Sequence, residues 1–426
     1  MRQDYCIEYH GTWRFPQFDS LMQPNPFQDC MGTLHYYEDK PCILEVYHKP
    51  TTGVISRMFC NYDTIWGCNA DGYVFTLFNA TMVSHANLSK TVFSVHYCLI
   101  GRNVESIDTP VFDRCYVRFP YLKNWACKLR IDISDQDEQI LTIVNKDEES
   151  PILETMVEEG ITLMLFNTIH YNHTRYETTI KEDTILQLRS DKPISIRRFL
   201  KLVYTFKQFL SIALFGDQHP CDIEFRLSSE EKRKNTKLLY KQEFSHEPHV
   251  IPLLKYDVIS SKVSDMLKKW YVNFDQMSPI CSYLVQSIHN GVFDTPNFLI
   301  VAQALDGYHK RFVNKTDGKD VQQYEHQIKK LLKRFEGVGL LNRCKLDAEV
   351  LAHSRHKYSH LIPDNDTKKV EKAVRGSELF RLTRKAIVLL TCCILDYLGL
   401  NTEEINKCFE DSEVAQIVHT LSFYDR

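Results

Sequence analysis

The spacing of hydrophobic positions changes once along this 426-residue chain, from a period near two to a period near 3.6. Up to about residue 190, short β-branched and aromatic runs recur, as at residues 43–47 (Ile-Leu-Glu-Val-Tyr), 73–78 (Tyr-Val-Phe-Thr-Leu-Phe) and 162–166 (Thr-Leu-Met-Leu-Phe), with turn residues such as Asp71-Gly72 between them. This half is expected to be mainly β and sandwich-like. A helix is then predicted over residues 195–215, where Phe199, Leu202, Val203, Phe206, Phe209, Leu210 and Ala213 recur at i, i+3, i+4 spacing and Gly216 would end it. Two more short strands are predicted at residues 222–227 and 237–244, flanking a charged loop at 229–235.

From about Val258 the helical period runs nearly to the end. Breaks are expected at Gly291, Gly318, the Gly337-Val338-Gly339 segment, Pro363 and Gly399. Asp294-Thr295-Pro296 has the form of a cap with proline in the first turn. Five or six helices in about 170 residues imply a bundle. The fold class is therefore α+β, with a mainly β domain over residues 1–250 and an all-α helical domain over residues 251–426. No internal repeat or low-complexity linker separates them, so direct packing is expected.

Composition adds limits to this picture. A hydrophobic share of 43% and a charged share of 25% are ordinary for a globular chain, and the length favours two domains. The formal net charge of -3 does not mark a nucleic-acid binder, so any RNA contact must come from local patches. From Ile251 onward there are 25 Lys and Arg against 22 Asp and Glu, so the slight basic excess lies in the helical half. The 14 cysteines are scattered without a Cys-x-x-Cys pair, which favours a reduced, cytoplasmic protein over a disulfide scaffold. Residues 1–8 hold no apolar signal core, and the longest mostly apolar run, 386–395, is about half a bilayer span and ends at Asp396. No membrane association is expected.

The densest catalytic chemistry lies at residues 352–360, Ala-His-Ser-Arg-His-Lys-Tyr-Ser-His. An always-charged guanidinium can neutralise a phosphate while an imidazole moves a proton, and these are the two needs of metal-free RNA cleavage. On an ideal helix Arg355 and His360 stand about 140° apart, so they converge only if the helix ends or bends near His360, and Pro363 bars its continuation. His353, His356 and His360 share one stripe, but no carboxylate takes the metalloprotease position of His-Glu-x-x-His. Residues 67–73 space two glycines like a P-loop without the following Lys-Ser/Thr, which suits a hairpin turn.

The pattern of arginine, a polar residue, three residues and histidine resembles the signature of HEPN-domain ribonucleases. Together with residues 267–271 (Leu-Lys-Lys-Trp-Tyr) and 297–311, it resembles the HEPN domain of the ApeA family of bacterial anti-phage proteins. Gly11-Thr12-Trp13, Gly32-Thr33-Leu34, residues 76–79 (Thr-Leu-Phe-Asn), and Trp125 after residues 116–119 (Tyr-Val-Arg-Phe) are similar to the ApeA-type N-terminal domain. One departure is Asp306, where glutamate is expected before the Tyr-His, which leaves open whether the longer residue's salt bridge carries over.

The resemblance implies a ribonuclease toxin that needs no cofactor or metal and forms a homodimer or higher homo-oligomer through its HEPN domain, with two motifs across a shared cleft. RNA, with tRNA foremost, is the implied partner, in defence by abortive infection, and a phage-derived trigger is expected at the N-terminal domain. Arg355, His360 and His356 are the catalytic candidates; Asp306, Tyr308, His309 and Tyr358 are the supporting ones. Lys329, Lys330, Lys333 and Arg334, and a second cluster of Arg381, Arg384 and Lys385, are candidate RNA-binding strips, although such strips also serve as solvated helix faces. The rival reading is a non-catalytic HEPN module for dimerisation or for holding a nucleotide or partner.

Overall fold

The computed structural model describes residues 6–18, 24–47, 61–86, 90–126, 131–137, 140–145, 151–175, 177–229, 236–248, 251–288, 295–313, 323–363 and 371–417. Its first six strands are β1 (Cys6–Phe18), β2 (Pro24–Tyr37), β3 (Cys42–Val46), β4 (Asn61–Asn69), β5 (Val74–Ala86) and β6 (Lys90–Ile100). They pair in the order β6-β3-β2-β1-β4-β5, and β5 returns to β6, so they close a barrel rather than form the expected sandwich. Alternation along each strand dictates which residues point inward, but it carries no record of whether the two sheet edges meet. Closure comes from the antiparallel pairing of Gly11–Arg14 with Trp66–Asn69, more than fifty residues away. Trp13, Phe15, Leu34, Leu44, Phe75 and Phe93 fill the interior.

The glycines of two sequence motifs have a steric reason. Gly11 and Gly32 face each other in register, and a Cβ on them would lie 2.4 Å from the Cys68 carbonyl oxygen and 2.3 Å from that of Glu45. The predicted hairpin at Asp71-Gly72 joins β4 to β5, with Gly72 in the left-handed region at φ 81°.

β6 belongs both to the barrel and to the open part of the same sheet. One edge lies on β5 throughout, whereas the other pairs with β3 at residues 91–95 and with a later strand at residues 97–100. From there the sheet continues open through β14 (Thr236–Tyr240), β13 (Asp222–Arg226), β7 (Phe112–Arg118), β12 (Thr178–Ile194), β11 (Ile161–His173) and β10 (Leu153–Glu158). A separate pair, β8 (Ile131–Asp137) and β9 (Ile140–Asn145), stands outside it. The strand predicted over 237–244 is thus shorter than expected, and most of the predicted 229–235 loop lies outside the described residues.

Trp125 ends a short helix, α1 (Leu122–Trp125), after β7. The predicted long helix is α2 (Ile196–Ala213), capped by the Ser195 side chain, which accepts from the Arg198 N–H at 3.2 Å. Its end differs from the expectation in one respect. Phe215, not Gly216, takes the left-handed conformation (φ 52°), because its ring is buried and the Gly216 N–H closes on the Ser211 carbonyl at 2.9 Å.

The helical half holds α3 (Tyr256–Ile259), α4 (Val263–Val272), α5 (Phe274–Ile288), α6 (Thr295–Tyr308), a π turn (His309–Val313), α7 (Tyr324–Arg334), α8 (Gly339–Cys344), α9 (Ala348–Ser359), α10 (Gly376–Leu398) and α11 (Thr402–Phe409). These helices are more numerous than the five or six expected. Gly337 and Val338 fall between α7 and α8, with Gly339 opening α8, and Gly399 ends α10 at φ 97°, as predicted; Gly291, Gly318 and the Asp294 cap lie outside the described residues. α10, buried along most of its length after an exposed first turn, packs against α5, α6, α7 and α8. The two halves share one core. The Trp270 indole donates to the Thr205 carbonyl at 2.9 Å, the Tyr271 hydroxyl to that of Leu202 at 3.0 Å, and the Trp125 indole to that of Leu254 at 3.0 Å. α4 also covers β10, the free edge of the open sheet. Among the described residues no helix is long and apolar enough to cross a membrane, and the described cysteines are free thiols.

Candidate functional site

α9 carries the motif. Asp347 caps it by accepting the Glu349 and Val350 N–H groups at 2.8 and 3.2 Å, and Leu351 and Ser354 turn inward. The Ser354 hydroxyl accepts the Val374 N–H at 3.1 Å, which ties the segment before α10 to α9. That inward face leaves Arg355 half-buried and His356 exposed. The helix stops where the sequence requires. His360 is the C-cap, Leu361 takes φ 50°, and the Ile362 N–H closes on the Lys357 carbonyl at 2.9 Å, immediately before Pro363.

This ending brings the two histidines together but not the arginine. The His356 and His360 rings lie 4.8 Å apart at 59°. Among the described residues Arg355 and His360 share no hydrogen bond or ion pair; the guanidinium instead donates to the buried Asp306 carboxylate at 3.1 Å and lies over the Tyr324 ring, 4.5 Å from its centre. Lys310, one turn after Asp306, donates to the same carboxylate oxygen at 2.9 Å. The Asp306 side chain is 4% exposed, Arg355 28% and Lys310 60%. One carboxylate therefore anchors two cations, and the trio keeps a surplus of one positive charge directed toward solvent. The salt bridge left open by the shorter aspartate is made after all.

A cavity of about 480 Å³ opens here, lined by Gln323, Tyr324, Glu325, Ala352, His353, Arg355 and His356. Tyr324 was not among the sequence candidates. Its hydroxyl donates to the Ala302 carbonyl at 3.0 Å, and burial first, against the lowering effect of Arg355, pushes its pKa up, so it is a neutral platform for the guanidinium. Nothing local marks it, since it meets Arg355 across 31 residues of sequence. Lys310 did have a signal, the i, i+4 spacing from Asp306.

Two family models match the chain, ApeA N-terminal domain 1 over residues 8–270 and Apea-like HEPN over residues 299–404. The chain belongs to the ApeA family. No curated protein and no solved structure matches it. ApeA is an anti-phage family, and HEPN domains are ribonuclease or nucleotide-binding modules. The HEPN match contains Asp306, Lys310, Tyr324 and the Arg355 to His360 motif, whereas residues 267–270, read above with the helical resemblance, fall in the N-terminal match.

The other candidates within the HEPN domain sit elsewhere. The Tyr308 hydroxyl donates to Asp396 at 3.2 Å, and the Tyr358 hydroxyl to the Val374 carbonyl at 2.9 Å, so both are held in packing contacts. His309 is fully buried, and neither ring nitrogen has a hydrogen-bond partner. Burial, then the charge of Lys330, pushes its pKa below the ordinary value. In the first basic strip Lys329 pairs with Glu325 at 2.5 Å and Arg334 with Asp396 at 2.9 Å, while Lys330 and Lys333 are exposed. In the second, Arg384 donates to the Ile288 carbonyl at 2.6 Å, capping α5, and Arg381 and Lys385 are half-buried.

The ApeA N-terminal region has a cavity of its own, about 460 Å³, between α2 and the open sheet, with Tyr204 and Tyr240 in its wall. Asp217 sits at its polar end, paired with Lys207 and with His219 Nε2 at 3.0 Å, and His219 Nδ1 faces Glu243 at 3.2 Å. Burial would raise the Asp217 carboxyl, but hydrogen bonds from His219 and Lys207 outweigh it and hold the pKa at about 2.

Proposed function

We propose that this protein is a metal-independent endoribonuclease of anti-phage defence that cuts RNA, with tRNA the foremost substrate class, and acts by abortive infection in the cytoplasm. The observation that carries the proposal is the surplus cation of the Arg355–Asp306–Lys310 cluster, at a cavity lined by Arg355 and by His356, whose ring lies against that of His360. In this reading the ribose 2′-oxygen attacks phosphorus as one histidine takes its proton. The bond from phosphorus to the 5′-oxygen breaks as a second imidazole protonates the leaving oxygen. Arg355 neutralises the charge that builds on the nonbridging oxygens. The products are a 2′,3′-cyclic phosphate and a 5′-hydroxyl. Asp306, the carboxylate beside Arg355, is committed to two cations, which supports a reaction driven by these side chains alone.

Because Arg355 and His360 point to different partners within one chain, we assign the complete site to a homodimer in which the motifs of two HEPN domains face one cleft. Residues 251–426 would form the nuclease and residues 1–250 the part that senses a phage-derived trigger. A second reading has its own support: a guanidinium paired with a buried carboxylate and stacked on tyrosine suits a structural arginine in a bundle that binds a nucleotide or partner.

Sequencing of RNA ends from cells expressing wild type and His360→Ala separates the two. Discrete new 5′-hydroxyl ends that vanish in the variant support cleavage; identical end profiles, with unchanged toxicity of Arg355→Ala, favour the binding module. Purified protein should cut fully in excess EDTA, and rescue of a lost activity by a divalent ion would refute metal independence. Single-turnover rates from about pH 5 to 9 then assign the histidines: the profile should be reshaped by His360→Ala, and if only His356→Ala reshapes it, His356 is the proton carrier.

A further inference from the structure

The outer face of the barrel carries a cluster that the HEPN chemistry does not use. Cys6 and Glu8 alternate onto one face of β1, and His35 of β2 stands opposite Glu8 in register. The His35 Nδ1 atom lies 3.2 Å from a Glu8 oxygen and 3.9 Å from the Cys6 sulfur, and none of the three donor atoms is more than 4.8 Å from another. Ligands about 2.0 to 2.3 Å from a tetrahedral zinc ion stand roughly 3.3 to 3.8 Å from one another, so these distances need only small side-chain adjustments.

The far side of the histidine gives a second, independent indication. His35 Nε2 is buried, without a hydrogen-bond partner, and lies 3.6 Å from a Glu45 oxygen, and Glu45 is itself held by Lys90 at 2.6 Å. A metal-bound histidine directs its second nitrogen to a carboxylate in this way, and a small closure would satisfy the orphaned N–H. The charges also balance. A thiolate, a carboxylate and a neutral imidazole neutralise a divalent cation, while Glu45 and Lys90 neutralise each other. His10 stays out of the set: its Nε2 is 3.9 Å from a Glu8 oxygen and its Nδ1 2.9 Å from the Thr33 hydroxyl, but among the described residues only Cys6, Glu8 and His35 offer donor atoms that all lie within 4.8 Å of one another.

We infer that Cys6, Glu8 and His35 form a zinc site, with Glu45 as the carboxylate that orients His35 and a fourth position open to solvent. This departs from the expectation, drawn from the HEPN resemblance, of a protein without any metal. The placement suggests a staple: among the described residues, 6–10 pair with β2 alone, since the ladder to β4 begins at Gly11. Zinc would fasten this overhanging end of β1 to β2.

The test uses the full, tag-free chain, stripped with chelator and titrated with zinc against a chromophoric competitor, then with cobalt(II) in its place. One equivalent of zinc and a near-ultraviolet thiolate-to-cobalt band are expected. Both should be lost in Cys6→Ser and in His35→Gln, and Glu45→Gln should bind about 10- to 100-fold more weakly. A cobalt spectrum of the wild type without a thiolate band, or zinc affinity unchanged across the variants, would overturn the site and leave a histidine bridging two glutamates. Should a ligand variant fail to fold, the wild-type cobalt spectrum and Glu45→Gln still decide. Cleavage of RNA plays no part in the readout, so its outcome is independent of the proposed nuclease activity.

Discussion

Two carboxylates, one in each half, have been given the same task with opposite outcomes. Asp306 gathers Arg355 and Lys310, and Asp217 gathers Lys207 and His219. Around Asp217 a second carboxylate, Glu243, closes on the far nitrogen of His219, so two carboxylates meet two basic side chains and no cation is left in surplus. Around Asp306 no second carboxylate closes the set among the described contacts, and a cationic surplus faces the cavity. An internally balanced cluster holds structure together and offers little to a phosphate. An unbalanced one has binding energy left for an anion.

The comparison breaks most directly at Arg355. If the surplus charge serves catalysis, Arg355→Ala should lower single-turnover cleavage by about 2 to 4 kcal/mol, roughly 30- to 1000-fold, at every pH without moving the profile. A loss confined to one arm of the pH profile would reassign Arg355 to tuning a histidine. Asp306→Asn comes next. It leaves two cations close together without their counter-charge, so a stability loss of about 2 kcal/mol is expected in denaturant melts, with a rate loss on the order of tenfold from a loosened guanidinium. Unchanged stability would mean that the carboxylate is incidental.

The balanced cluster should respond to acid rather than to RNA. Asp217 is held at about 2 in the fold, below its ordinary unfolded value, so its stabilisation is present above about pH 4 and is lost as pH falls toward 2. Asp217→Asn should therefore cost about 1 kcal/mol at pH 7, after allowance for its partial exposure, and nothing near pH 2. A gap between the two melting curves that persists at pH 2 would contradict this assignment. Smallest is Lys310→Gln. Its exposed side chain should contribute under about 0.5 kcal/mol to stability, with a two- to threefold rate loss at most, roughly the scale of a surface pair. A rate loss as large as that of Arg355→Ala would make Lys310 the phosphate ligand.

How much of this was legible in the sequence depends on the range of the contact concerned. The face of α2, the Asp71-Gly72 turn and the end of α9 before Pro363 are local, and the pattern of residues gives each of them. The barrel is not local. Its strands were readable as strands, but closure depends on which edges meet. The candidate site divides along the same line: Arg355, His356, His360 and Asp306 could all be singled out, yet the direction of the guanidinium could not. That direction was decided by Asp306 and Tyr324 arriving from α6 and α7. The basic strips show the converse error, since charge spacing on one helix does not reveal that Arg334 is claimed by Asp396 or that Arg384 closes α5.

The closed barrel also affects how the chain behaves among copies of itself. A sheet normally has two margins where a foreign strand can add, and here β5 uses one of them by returning to β6. The remaining margin, β10, lies under α4 and carries Glu154 and Glu158, which are matched by Arg189 and Arg198 within the same chain. Stray strand addition and aggregation are therefore discouraged at both of these margins.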